Sequence, residues 1–233
     1  MKRLLFFCAL FCATNSIFAQ NVQLLYDFGK GRNCLTSTVE MFKPDKYGST
    51  FLFIDMDYGT GGVEGVSMAY WEIARSIKFR DHPFALHIEY NGGFWQHKEK
   101  TVSYAHNIND SWLGGLEFSK DAKDSSKGFT FQALYKYIRG RHDFSFQLTG
   151  IWYMNFWNNR FSFTGFADFW REEMEFTLSD GGYALTKFIF QAESQVWYNF
   201  TPHFSAGSEV EFSNNFAGKG FWILPTLGIK ATF

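Results

Sequence analysis

The last thirteen residues alternate without a break. Phe221, Ile223, Pro225, Leu227, Ile229, Ala231 and Phe233 share one face of an extended chain, and Trp222, Leu224, Thr226, Gly228, Lys230 and Thr232 share the other. Successive side chains of a strand point to opposite sides, so this run predicts a strand with one apolar face and one face that carries polar groups. Strands of soluble domains average about six residues, whereas a tilted strand crossing a bilayer needs about nine to eleven. The pattern recurs. At 84–91, Phe84, Leu86, Ile88 and Tyr90 alternate with Ala85, His87, Glu89 and Asn91; runs at 144–155 and 188–200 behave alike, the second interrupted by Ser194. Weaker versions fall at 22–28, 34–43, 49–58, 68–79, 111–119, 128–138, 160–170 and 203–213. Twelve segments make an even number, as bacterial single-chain barrels require. Beyond the N-terminus there is no run of about 18 apolar residues, so a helical crossing is excluded. The pattern predicts an all-β fold, a transmembrane antiparallel β-barrel of about twelve strands.

Composition agrees once the two faces are separated. The mean hydropathy of -0.20 suits a soluble protein, yet 21% of residues are aromatic, 30 of them Phe. A greasy outer wall averaged with a polar interior gives such a value. The spacers sort into two alternating series. Pro44 to Gly48, Arg80 to Pro83, Asn158-Asn159 and Thr201-Pro202 read as tight turns, with Asp121 to Lys127 a longer member of the same series. Gly59 to Ser67, Trp95 to Asp110 and Arg171 to Thr186 are the longest spacers, although Lys30 to Asn33 and Gly140-Arg141 in their series are short. With both termini periplasmic, the long series lies outside.

Lys2 and Arg3, the apolar stretch Leu4 to Phe11 and the small Ala19 predict a secretory signal peptide over 1–19, leaving residues 20–233 as the barrel. An uncleaved membrane anchor is the alternative, though the stretch is short for it. Cleavage leaves Cys34 as the one cysteine, which removes intramolecular disulfides and thiolate zinc clusters. A formal net charge of -1 provides no basic field for nucleic acid. Gly59 to Gly62 follows a strand but lacks the Lys-Ser/Thr of a phosphate cradle, and His97 and His106 match no strong metal motif, so no cofactor is expected. A terminal Phe233 on an apolar-alternating strand is similar to the signal read by the outer-membrane assembly machinery. The expected partners are that machinery, outer-membrane lipids and a small polar solute.

Twelve strands enclose more room than side chains of eight strands fill, so the inward face bears the function. Alternation places Asp27, Glu40, Asp55, Asp57, Glu72, Glu89, Glu117, Asp168, Glu193, Glu209 and Glu211 inside, against His87, Lys136 and Lys230, with Lys78 and Arg75 as further candidate bases. Glu72 and Arg75 are three apart, so Arg75 either sits near a rim or is turned inward by a bulge. Tyr153, Phe166, Trp170, Trp197 and Trp222 add aromatic surface. The candidate pore-lining residues are Glu40, Asp55, Asp57, Glu72, Arg75, His87, Glu89, Phe166, Asp168, Trp170, Glu193 and Trp197. Acids with aromatics suit a small, ring-bearing solute that is neutral or cationic.

The run Thr38 to Tyr58 resembles the second and third strands of the Tsx nucleoside channels: an acid–aromatic strand, a Lys-containing turn, then an aromatic strand ending in acid. Glu72 to Ile77 is similar to that family's Glu-Ile…Arg…Ser-Ile stretch, with fewer residues between, and Phe163 to Trp170 resembles its Gly-Phe…aromatic strand. Ser111 to Asp121 also lies near a similar segment. The resemblance implies a twelve-stranded barrel with a narrow pore admitting nucleosides. Two other readings stay open: a closed barrel acting through its loops in adhesion or as a structural partner, and a barrel hydrolase. For the second, His87 and Glu89 share a face, but no Ser is placed beside them by the sequence, and an enzyme is not expected.

Overall fold

The computed structural model describes residues 19–80, 82–178 and 180–233, with the backbone alone at Asn109. The expected signal peptide lies outside the described residues except for Ala19, which opens the first strand. Twelve strands follow: β1 (Ala19–Asp27), β2 (Cys34–Asp45), β3 (Gly48–Tyr58), β4 (Val66–Lys78), β5 (Phe84–Glu99), β6 (Val102–Asp121), β7 (Lys127–Ile138), β8 (Phe146–Phe156), β9 (Phe161–Thr177), β10 (Tyr183–Thr201), β11 (Phe204–Asn214) and β12 (Phe221–Thr232). Each pairs antiparallel with its neighbours in sequence, and β1 pairs with β12 from Asn21–Thr232 to Asp27–Thr226, closing the ring. Closure leaves no edge, which is the condition for a sheet to sit in hydrocarbon.

The two faces separate as the alternation predicts. Along β1, Gln23, Leu25 and Asp27 are buried, while Val22, Leu24 and Tyr26 are exposed. Exposed Phe221, Ile223, Leu227 and Ile229 on β12 continue that apolar belt, and buried Leu224 and Thr226 face in. Ser194 of β10 lies opposite Val210 and Gly165 on the outer face, so it is a polar gap in the belt and leaves the register intact. Inside, Gly207 and Gly228 face each other across β11 and β12. A Cβ on Gly207 would lie 2.2 Å from the Val196 carbonyl and 2.6 Å from Trp197 Cε3, so the missing side chain is the space the fully buried Trp197 ring occupies.

Two predicted spacers are strand. Trp95 to Asp110 is mostly the outer half of the β5–β6 hairpin, and Arg171 to Thr186 continues β9 and β10 on either side of a short turn. A bulge between Asn91 and Gly93 re-phases β5 against β6, and another lies between Thr186 and Phe188. These hairpins stand at the rim opposite the termini, so the long series lies on the predicted extracellular side. His97 and His106 are therefore strand residues, stacked 5.1 Å apart within a ring cluster that includes Trp95 and Tyr104.

Candidate functional site

Register brings the candidate acids onto one inward surface. Thr38, Asp55 and Tyr70 lie side by side across β2, β3 and β4, as do Glu40, Phe53 and Glu72. Across the lumen, Glu211, Glu193, Phe166 and Ile151 form a row over β11 to β8, and Ser213, Gln191, Asp168 and Thr149 form the next.

At the outer mouth the β1–β2 connection folds over the lumen. Its Arg32 places Nε 2.7 Å from Asp27 Oδ2 and one terminal nitrogen 3.1 Å from Asp57 Oδ2. Thr36 donates to Asp57 at 2.8 Å and the Gly29 amide to Asp27 at 2.6 Å. Burial alone would loosen the proton of the Arg32 guanidinium, but the carboxylates of Asp57 and Asp27 outweigh it and raise the pKa, so Arg32 stays charged. Glu211, close to this group, keeps its Oε1 buried without a hydrogen bond.

Deeper acids take one neutral donor each. Thr38 donates to Asp55 at 2.7 Å, Gln191 to Glu193 at 2.8 Å, Gln195 to Glu209 at 2.6 Å and Asn21 to Glu40 at 3.2 Å. On the facing wall Tyr70 donates to Glu72 at 2.8 Å and Thr149 to Asp168 at 2.5 Å. Neutral donors orient a carboxylate without cancelling its charge. The inward bases are occupied: Lys136 Nζ reaches Gln147 at 2.8 Å and lies over the Trp170 ring, and Lys230 lies over Trp197. Asp55, Glu72, Asp168, Glu193 and Glu209 are half-buried. Each points into a closed ring, so the part of each carboxylate left uncovered faces the lumen.

Nearer the periplasmic end, His87 is held between Glu89 (Nε2, 2.9 Å) and Glu117 (Nδ1, 3.2 Å). Ser76 lies 3.1 Å from Nδ1 and donates to Glu117 at 2.7 Å, and Gln132 donates to the same oxygen at 3.0 Å. A serine thus does lie beside His87, which the sequence did not place there. Both ring nitrogens face carboxylates, an arrangement that suits the doubly protonated ring, which has no lone pair to take a proton from Ser76. All five side chains are buried, so the group reads as a sealed brace between β4, β5, β6 and β7.

Of the candidate residues, Glu40, Asp55, Asp57, Glu72, His87, Glu89, Phe166, Asp168, Trp170, Glu193 and Trp197 face inward. Arg75 does not. It lies opposite Thr50 and the outward Ile88, and its guanidinium binds Asp45 at 2.7 Å at the end of β2. The bulge that might have turned it lies at the far end of β4, between Asp57 and Tyr58 on its partner strand. Trp197 is fully buried and Trp170 nearly so, so Phe166 is the inward candidate ring left half-exposed. Three contributors were not singled out from sequence. Arg32 sits in a connection whose alternation says nothing about direction. Tyr70 alternates with Glu72 and was visible in principle. Phe216, from the β11–β12 connection, meets Trp170 edge-on at 5.7 Å and carries no local signal. The interior is also less polar than expected, with Leu25, Leu113, Leu134, Ile189 and Leu224 buried within it. Among the described residues no group of three His, Cys, Asp or Glu side chains is placed to hold a metal.

A closed antiparallel ring of twelve strands, greasy outside and charged inside, defines an outer-membrane β-barrel of the kind found in Gram-negative bacteria. The chain belongs to the family described as a domain of unknown function, DUF5020, whose model matches residues 19–233. No curated protein matches the sequence. Among solved structures it is similar to the NanC porin, with a TM-score of 0.58 and 12% identity over 92% of this chain and 100% of that one. It is also similar to the KdgM porin, with a TM-score of 0.48 and 11% identity over 92% of this chain and 99% of that one. The outer membrane protein Omp33 of Acinetobacter baumannii aligns with a TM-score of 0.44 and 13% identity over 94% and 98% of the two chains. At such identity the likeness to the NanC porin is one of fold.

Proposed function

We propose that the barrel is a passive outer-membrane channel for small hydrophilic solutes, selective for neutral or cationic ring-bearing molecules, with nucleosides the favoured class. The observation that carries this reading is the set of mid-depth carboxylates, Asp55, Glu72, Asp168, Glu193 and Glu209, which face the lumen, are oriented by neutral donors and form no ion pair among the described residues. A narrow lumen lined by uncompensated acids concentrates cations and repels anions, so nucleosides pass in preference to nucleotides. The half-exposed Phe166 offers a face for a ring, and the acids accept hydrogen bonds from hydroxyls and amines. The resemblance of 38–58 and 72–77 to Tsx strands points to the same solutes.

One observation favours a closed barrel that acts through its outer hairpins: the buried inward Leu25, Leu113, Leu134, Ile189 and Leu224 narrow the lumen, and Arg32 and Phe216 reach over its mouth. The sealed bonding of His87 speaks against a hydrolase. Liposomes carrying the refolded protein are expected to take up labelled nucleoside faster than a sugar of similar size, and planar bilayers to show unitary currents. Equal uptake would reduce the protein to a general porin. No uptake together with no conductance would establish the closed barrel.

A further inference from the structure

We infer that the outer mouth of the lumen is a binding site for a guanidinium- or amidinium-bearing cation, and that Arg32 of the chain itself is its tethered occupant, which such a solute displaces. Three acids meet there from three strands: Asp27 of β1, Asp57 of β3 and Glu211 of β11. All three are buried, Glu211 to nine-tenths of its surface. Asp27 and Asp57 lie 2.7 and 3.1 Å from Arg32 nitrogens, and Glu211 is within electrostatic reach of all three groups. The Gly29 amide and the Thr36 hydroxyl, both neutral, already hold the two aspartates. One guanidinium thus answers three carboxylates. Lys30, the other base of this connection, turns away, with Nζ 6.0 Å from the centre of the Trp222 ring.

The tethered occupant fits poorly. Arg32 Nε is 2.7 Å from Asp27 Oδ2 yet makes no hydrogen bond, so its N–H is not directed at that oxygen. Glu211 Oε1 is likewise buried without a donor. A donor and an acceptor left unmet in one buried group are costly, and the tether explains why both persist. Arg32 hangs from a tight turn, closed by its own amide on the Gly29 carbonyl at 3.0 Å, and cannot rotate as a free ion does. A free guanidinium carries the same planar fork of donors and turns to suit the carboxylates. The way out is also open. The Arg32 side chain is 32% exposed, so solution reaches it from the mouth. It stands outside the β1–β2 pairing, which resumes where Cys34 meets Asp27, so it swings away without breaking a rung between strands. The inference names the cation class that the proposed channel would sort and rests on that reading for its purpose; the binding itself needs no conduction.

Urea unfolding in lipid vesicles, with methylguanidinium or with tetramethylammonium at equal ionic strength, tests it. Arg32→Ala empties the site. Methylguanidinium is expected to raise the unfolding midpoint of this variant, and tetramethylammonium is not, because it has no N–H to donate. Wild type is expected to need about tenfold more methylguanidinium, since the tethered Arg32 competes for the same carboxylates. Adding Asp57→Asn to Arg32→Ala is expected to weaken the response several-fold. Arg32→Gln, which keeps a polar group on the turn, repeats the measurement, and heat-modifiable gel migration reports whether either variant folds only when methylguanidinium is present. Equal responses to the two cations, a wild type that responds at the same concentration as Arg32→Ala or never responds, or a response that survives Asp57→Asn undiminished would each overturn the site. Any of these results leaves nucleoside uptake and conductance to be judged by themselves, whereas selective binding by a barrel that passes no current would strike the channel and keep the site.

Discussion

The lumen carboxylates share a local design: a Thr, Gln, Asn or Tyr hydroxyl or amide holds each one, and a full counter-charge holds few. Changing Glu72→Gln with Asp55→Asn keeps the shape and removes the charge. Assembly is expected to stay intact, and the reversal potential under a salt gradient to move toward that of a non-selective pore. Phe166→Ala removes the half-exposed ring and is expected to weaken block of the current by added nucleoside by roughly 1 kcal/mol, about fivefold. Arg32→Ala strips the counter-charge from Asp27 and Asp57, which are themselves buried. A loss of about 1–3 kcal/mol in urea unfolding is expected, together with a stronger cation preference. At this scale the inward acids were legible, because alternation assigns a face to every mid-strand residue. Arg75 was not, since its neighbours on β4 alternate imperfectly and only the register against Thr50 and Ile88 decides its side. The bonding of His87 was hidden for a different reason: Ser76, Glu117 and Gln132 come from three other strands.

Within a strand, neighbouring residues live in different solvents. Leu148→Arg or Ala192→Lys places a charge in hydrocarbon and is expected to cost about 2–4 kcal/mol near the midplane, whereas Thr149→Arg or Gln191→Lys costs much less, measured by urea titration in lipid vesicles. Equal costs within a pair would mean that the faces are reversed. Gly207→Val forces a Cβ against the Val196 carbonyl and Trp197, and is expected to lower the unfolding midpoint more than Val at the outward Ser208. All twelve strands were legible from sequence because the bilayer enforces alternation wherever lipid touches the wall. The outer ends of β5, β6, β9 and β10 were read as loops because lipid no longer touches them. Stretches such as Gln96 to Glu99 and Arg171 to Glu173 carry polar side chains on both faces, so strand geometry leaves no hydropathy trace there. Backbone pairing alone extends them.

As a whole the molecule is expected to behave as a barrel: extraction only by detergent, and gel mobility that changes on heating. Removing Phe233 is expected to lower the amount reaching the outer membrane more than it lowers the stability of the barrel already formed. Its amide gives one backbone bond to Gln20, a small part of the structure. Eleven of the twelve strand pairings join consecutive strands, and the remaining one joins β1 to β12. The short-range hairpins are within reach as soon as each pair of strands exists. The pairing of Asn21 with Thr232 waits until the chain is complete. Until then β1 carries an open row of amides and carbonyls, and so does whichever strand was made last. Time spent in the periplasm is thus time spent with two adhesive ends, and every chain truncated before β12 stays in that condition for good. Such fragments are expected to be cleared by proteolysis or to aggregate in proportion to how long their ends remain unmet.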